Sequence, residues 1–289
     1  MKIWITGAQG LVGQAVQKLC KEKHLSFLPT GHGDVDISSE SSVKEFFHSH
    51  PDLTHIINCA AYTRVDDAEN EAQEAYKANT VGPENLGRLA RLEGLKLVHV
   101  STDYVFDCEN PTPLAETAPF QPSQLLSVYA KTKQEGEARL LSEFPHACIV
   151  RTSWVFGLGG KNFISSIWNK LHQETQISVV HDQINRLTYA RDLAEVLLAL
   201  LCHEGIFHFA NEGIASRYDV ALKMRQLLQE SGKELPCKEI NKVPAAAFKT
   251  IAPRPRFSVL DTQKIEKIAG ITPRSWQEAL KEFVDEKQL

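Results

Sequence analysis

The sequence has little of what staples a small protein, anchors it in a membrane or draws it to nucleic acid. Its six cysteines, at 20, 59, 108, 148, 202 and 237, are nowhere closer than 35 residues apart. No CxxC pair and no Cys/His zinc spacing results. Cys148 lies in the apolar run HACIVRTSW, where a small buried hydrophobe is the ordinary role. Reduced, structural thiols and a cytoplasmic location are therefore expected. Residues 1–7 are too short an apolar stretch for a signal peptide. Residues 193–202, the most apolar later run, contain Glu195 and fall short of the roughly 20 residues a membrane span needs. There is no basic excess: 32 Lys and Arg stand against 36 Asp and Glu, a net charge of -4. Without surplus cations to neutralise duplex phosphates, a nucleic-acid partner is disfavoured. Internal repeats and low-complexity segments are also missing.

What is present is ordinary globular material, 43% hydrophobic and 24% charged, with 16 Gly and 13 Pro. Collagen-like, coiled-coil and disordered readings are thereby excluded. The 289 residues amount to one domain of about 150 residues and a smaller second one.

Strand-like apolar runs alternate with helical patterns through the first half. Strands are predicted over 3–5, 25–28, 55–61, 95–101 and 147–152, and helices over 9–22, 40–48, 71–94 and 130–142. This rhythm implies βαβ crossovers, hence an α/β fold with a doubly wound parallel sheet. Residues 107–127 hold four prolines without periodicity and are predicted as a long loop. Later the rhythm weakens. Helices are predicted over 163–172, 192–203, 220–230 and 275–286, a strand over 206–209, and a proline-punctuated stretch over 235–256. The division expected is a dinucleotide-binding domain over 1–150, to which segments near 180–203 return. A smaller, partly interleaved substrate domain spans most of 151–289.

Three local patterns carry chemistry. Gly7-Ala8-Gln9-Gly10-Leu11-Val12-Gly13 stands between the first strand and first helix. Glycines there allow a tight turn, and a diphosphate can sit on the helix N-terminus. After the second strand, Pro29-Thr30-Gly31-His32 has no carboxylate before Asp34 and no Arg or Lys. The choice between NADPH and NADH stays open there, while Asp36-Ile37 is better placed for an adenine edge. Tyr129-x-x-x-Lys133 puts both side chains on one helix face, a spacing that a solvated face also produces. Ser101-Thr102-Asp103 ends the fourth strand, at the sheet edge where such folds place ligands. A ketone reductase needs a proton donor for the developing alkoxide. Tyr129 suits that role if the Lys133 ammonium stabilises its phenolate, with Thr102 donating to the carbonyl oxygen.

Five strings occur in family order: the glycine loop, Asn58-Cys59-Ala60-Ala61-Tyr62-Thr63, Ser101-Thr102-Asp103-Tyr104-Val105-Phe106-Asp107, Tyr129-x-x-x-Lys133 and Arg151-Thr152-Ser153-Trp154-Val155-Phe156-Gly157. Later segments agree, including Tyr189-Ala190-Arg191-Asp192-Leu193 and Arg254-Pro255-x-x-Ser258-x-Leu260. Over nearly its whole length the chain resembles the extended short-chain dehydrogenase/reductase family, and within it the dTDP-4-dehydrorhamnose reductases. The resemblance implies that NADPH or NADH reduces the C4 ketone of dTDP-4-dehydro-β-L-rhamnose. It assigns the cofactor to Gly7, Gly10, Leu11, Val12, Gly13, Asp36, Ile37, Ala60, Ala61 and Tyr62, with Tyr129 and Lys133. Tyr129, Lys133 and Thr102 would be catalytic. Thr102, Asp103, Trp154 and Arg254 would face the sugar nucleotide, Arg254 pairing with its diphosphate. A homodimer is an assembly the resemblance allows, although no interface patch can be picked out.

Three positions depart from the family pattern. Cys108 replaces a glycine, and Asp182-Gln183-Ile184-Asn185-Arg186-Leu187-Thr188 lacks the usual glycine and proline. Asn185 tolerates a left-handed backbone better than other non-glycine residues. Ala15 stands where some members carry a magnesium-binding glutamate, so no magnesium site is expected. A dehydratase is disfavoured because Asp103 is followed by Tyr104, without the second carboxylate that elimination uses. Two alternatives remain: another nucleotide-sugar reductase or epimerase, and a non-catalytic subunit resembling the regulatory β subunit of methionine adenosyltransferase.

Overall fold

In the computed structural model, residues 1–106, 112–120, 126–160 and 162–288 are described. Cys108 lies outside them, with the rest of 107–111 and 121–125 of the predicted 107–127 loop. The strands are β1 (Lys2–Thr6), β2 (Ser26–Thr30), β3 (His55–Asn58), β4 (Lys96–Thr102), β5 (Cys148–Thr152), β6 (Val155–Phe156), β7 (Gln176–Val180), β8 (Ile184–Asn185), β9 (Thr188–Tyr189), β10 (Gly205–His208), β11 (Ala215–Ser216) and β12 (Glu239–Val243). The helices are α1 (Leu11–Glu22), α2 (Glu40–His48), α3 (Ala72–Tyr76), α4 (Gly82–Glu93), α5 (Val128–Glu143), α6 (Phe163–Gln173), α7 (Ala190–Ala199), α8 (Arg217–Glu230), α9 (Gln263–Ala269) and α10 (Trp276–Gln288).

Six strands form one parallel sheet in the order β10-β5-β4-β3-β1-β2. These strands read as continuous apolar runs because helices bury both faces. Ile3, Ile5, Val98 and Val150 pack with α1 and α7 on one side, while Trp4, Ile56, Leu97 and Ile149 pack with α2, α4 and α5 on the other. The strand order reverses between β1 and β3, so the crevice beyond their carboxyl ends is the natural ligand position.

A third core contains no residue before Phe156 and joins α6, α8, α10 and the short β7–β12 pair. The interleaving runs further than the sequence indicates. Segment 190–209 and α9 both return to the sheet, Leu193, Leu197, Phe207 and Ile265 all lying in its core. The weak strands β7 and β12 and the short α9 escape sequence reading. Their apolar runs are brief, and β12 sits within the proline-punctuated stretch. The predicted single helix over 71–94 is two helices joined by a π-helical turn over Lys77–Val81. There the carbonyl of Asn79 is aimed at Gly136 of α5, where a β-carbon would clash with it. Among the described residues, no helix is long and apolar enough to cross a membrane. The five described cysteines are unpaired.

Candidate active site

Geometry explains each glycine of the first loop differently. Gly7 has φ +63°, and a β-carbon there would lie 2.5 Å from the backbone nitrogen of Ala60. Gly7 therefore lets the β1 and β3 loops touch. Gly10 is the N-cap of α1, without a side-chain cap, which leaves the first-turn N–H groups of Leu11 and Val12 free of intrahelical partners. Gly13 does not border the cavity. It is a packing glycine whose β-carbon would come within 2.7 Å of Ala8 Cα. The side chain of Val12 likewise packs on the sheet core.

Around this loop opens a cavity of about 600 Å³, bordered by Gly7, Gly10, Asp36, Ile37, Ala60, Ala61 and Tyr62. It runs from the N-terminus of α1 past the end of β2, the length and course an extended dinucleotide needs. Asp36 Oδ1 accepts from Ser38 N–H at 2.9 Å and Ser38 Oγ at 2.7 Å. Burial pushes its pKa up, but the two Ser38 bonds leave it below the ordinary value. Asp34 turns back to Gly31 N–H at 2.8 Å, while His32 and Lys77 border the same end of the cavity. The residues that border the cavity directly after β2, Thr30, Gly31 and His32, carry no carboxylate, in keeping with the sequence.

α5 carries Tyr129 and Lys133, both buried. Ser127 caps the helix by accepting from Ala130 N–H. Lys133 Nζ donates to the Val100 carbonyl at 2.9 Å and lies 3.2 Å from His99 Nε2. Burial lowers its pKa to about 8, against the pull of Glu137 and Cys59. Burial raises the Tyr129 pKa; the Thr102 hydroxyl opposes this, and Asp103 and Tyr104 add to it. Thr102 accepts from Tyr104 N–H at 3.3 Å and donates to Asp103 Oδ1 at 3.1 Å.

A second cavity, of about 330 Å³, is bordered by Tyr104, Trp154, Arg217 and Arg254 together with residues of the third core. Tyr104 links the two regions, because its ring stands edge-on to Tyr129 with centroids 5.6 Å apart. Trp154 adopts φ +41°, an unfavourable backbone that surrounding structure must hold in place. Its ring lies 4.5 Å under the Arg217 guanidinium, which also covers Phe163 at 4.6 Å.

Two residues expected at the substrate are tied elsewhere. Asp103 Oδ2 accepts from Ser258 Oγ at 2.6 Å and from Asn185 Nδ2 at 2.8 Å. It thus joins the end of β4 to the later segments, and burial raises its pKa despite those bonds. Arg254 forms a two-pronged pair with Asp66, at 2.5 and 3.1 Å, which holds Asp66 down to about 2. Arg254 still borders the cavity, with its charge already matched. Asn185 does not use the left-handed backbone; its side chain holds Asp103 and Ser258, and Leu187 is buried in the third core. Among the described residues, no cluster of three or more His, Cys, Asp or Glu is placed to hold a metal.

Sequence reading missed Arg217. It opens α8 immediately after the Ser216 capping box, where nothing distinguishes it from a surface cation. Burial lowers its pKa, and among the described residues no carboxylate lies within ion-pair distance. Among the described residues its guanidinium makes one hydrogen bond, to Gln183 at 3.2 Å. The 600 Å³ and 330 Å³ cavities therefore flank a buried Tyr–Lys pair, one glycine-lined and the other holding an unmatched guanidinium.

The family model "RmlD substrate binding domain" matches residues 1–289. The chain belongs to this family. It is 36% identical over 292 residues to dTDP-4-dehydrorhamnose reductase of Aggregatibacter actinomycetemcomitans, covering 97% of each chain. It superposes with TM-score 0.91 on a dTDP-4-dehydrorhamnose reductase of Clostridium acetobutylicum, at 38% identity over 100% of both chains. A reductase of the same name from Bacillus anthracis, solved in complex with NADP, gives TM-score 0.90 at 31% identity over 99% of both.

Proposed function

We propose that the chain reduces the C4 ketone of dTDP-4-dehydro-β-L-rhamnose to dTDP-L-rhamnose with NAD(P)H. The observation that carries this reading is Tyr129 and Lys133 buried on one face of α5. They stand beside Thr102 at the carboxyl edge of the sheet, with Cys59 of the first cavity and Tyr104 of the second as neighbours. In this reading the sheet is the dinucleotide-binding domain, to which α7, β10 and α9 return, and the third core is the substrate-binding domain.

A bound reduced nicotinamide supplies the hydride. Tyr129 gives its hydroxyl proton to the ketone oxygen, and Thr102 holds that oxygen with a hydrogen bond. Lys133, as ammonium, stabilises the phenolate left on Tyr129 and so makes it a stronger acid. The burial that raises the Tyr129 pKa also excludes water from the developing charge. Trp154 and Tyr104 wall the sugar, and Arg217 meets the diphosphate, whose charge its unpaired guanidinium suits. Supplying the 4-keto sugar nucleotide with NADPH or NADH tests the whole reading. Sugar-dependent oxidation supports it, whereas cofactor binding without oxidation leaves only a non-catalytic role.

Two expected outcomes follow from the charges. Arg217→Met keeps the stacking on Trp154 but removes the cation. KM for the sugar nucleotide should then rise by about 10–100-fold, at about 1.5–3 kcal/mol for a charge-assisted contact, with kcat little changed. Lys133 must be charged for reduction, and its pKa is lowered to about 8. The kcat/KM profile should accordingly fall as pH rises through that value, and a profile flat to pH 10 would remove Lys133 from the role.

A further inference from the structure

His99 lies on β4, fully buried, and plays no part in the chemistry described so far. Its surroundings nevertheless fix where its proton resides. Asn58 Oδ1 accepts from the Ala60 backbone N–H at 3.0 Å and from Thr6 Oγ1 at 2.7 Å. A backbone N–H can only donate, so the orientation of the Asn58 amide is settled, and its nitrogen faces His99 Nδ1 at 2.9 Å. That nitrogen also can only donate. Nδ1 of His99 must therefore be the acceptor, and the imidazole proton sits on Nε2. Nε2 in turn faces Lys133 Nζ at 3.2 Å.

We infer that His99 is a positioning residue for Lys133: Asn58 locks it as the Nε2–H tautomer, and it turns that donor on the Lys133 nitrogen, favouring the amine over the ammonium. An amine accepts from Nε2–H while donating to the Val100 carbonyl. An ammonium has no lone pair, so donor would face donor until His99 gave up its bond to Asn58. The device couples proton uptake at Lys133 to a tautomer change along Asn58 and His99. Thr6, which also borders the glycine-lined cavity, ends the row. Among the described residues, the other titratable groups around Lys133 are Cys59 just past the end of β3, Tyr129 one turn before it on α5, and Glu137 one turn beyond. Glu137 is itself paired with Arg151 of β5 and bonded to Ser101. Burial and the Lys133 charge hold His99 well below its ordinary pKa, so the ring is neutral and carries a single proton.

The consequence for the rate rests on the reductase reading; the tautomer does not, so nuclear magnetic resonance on the full-length protein separates the two. At pH above the Lys133 midpoint, nitrogen-15 spectra should show His99 protonated at Nε2 and bare at Nδ1, with the Nδ1–H form growing in as the lysine takes up its proton. Asn58→Asp replaces the donor by an acceptor without changing shape. It should reverse the tautomer, let Nε2 accept from the ammonium and raise the Lys133 midpoint by about one pH unit or more. His99→Gln adds no charge and can offer an oxygen to Lys133, so it should also raise the midpoint. The basic limb of kcat/KM should move with it. An Nδ1–H tautomer in the unaltered protein above the Lys133 midpoint would overturn the inference. So would a rise in Asn58→Asp alone, which would make the effect one of charge. If the midpoints move as expected but the basic limb stays, the tautomer lock stands and the catalytic role of Lys133 does not.

Discussion

Tyr129→Phe should lower kcat by about 10²–10⁴-fold, the usual contribution of a positioned general acid, with the folded state nearly unperturbed. Tyr129 is packed among Ala68, Ala75, Tyr62 and Tyr104, and phenylalanine keeps that packing. KM should change little, because the hydroxyl serves the transition state more than the bound ketone. Circular dichroism and the melting temperature establish that the variant is folded, and steady-state kinetics measure the loss. Turnover close to that of the unaltered protein would remove Tyr129 from the proton-donor role.

Glu137→Leu should be the most destabilising single change among the residues around the site. Arg151 and Glu137 are each about 2% exposed and bonded through the Nε–Nη2 edge of the guanidinium, at 2.6–3.1 Å. Arg151 also lies over Phe106 and Phe120 at 4.9 and 5.1 Å and reaches His208 Nε2 at 3.4 Å. Burial and the Arg151 charge lower the His208 pKa to about 3, so this neighbour stays neutral and adds no second positive charge. Removing the carboxylate leaves a buried cation unpaired, at a cost of about 3–5 kcal/mol. At about 2–4 °C per kcal/mol for a chain of this size, Tm should fall by roughly 10 °C. The double change Glu137→Leu with Arg151→Met should recover most of the loss, since the unpaired charge is the cause. If the double variant melts no higher than the single one, lost packing is responsible instead.

The sheet was legible because each central strand is an uninterrupted apolar run between helices, and Gly7 because its turn has to follow β1. The partnerships of the later segments were not legible. Asp103 was readable as a carboxylate at the end of β4, but its ties to Asn185 and Ser258 lie across 82 and 155 residues of sequence. Arg254 was readable as a cation in the Arg254-Pro255-x-x-Ser258-x-Leu260 string, whereas its pairing with Asp66 depends on two loops meeting in space. Arg217 left no sequence signal, because a cation at the first position of a capped helix is ordinary until its burial is known. His99 is similar: apolar residues flank it in LVHVS, and only the fixed amide of Asn58 gives its proton a definite position.

The most direct test supplies the purified chain with dTDP-4-dehydro-β-L-rhamnose and NADPH deuterated at the transferred position of nicotinamide C4. The expected product is dTDP-L-rhamnose with a single deuterium at sugar C4, formed in step with cofactor oxidation. Tight cofactor binding with the sugar returned unlabelled and unreduced would contradict the reductase reading.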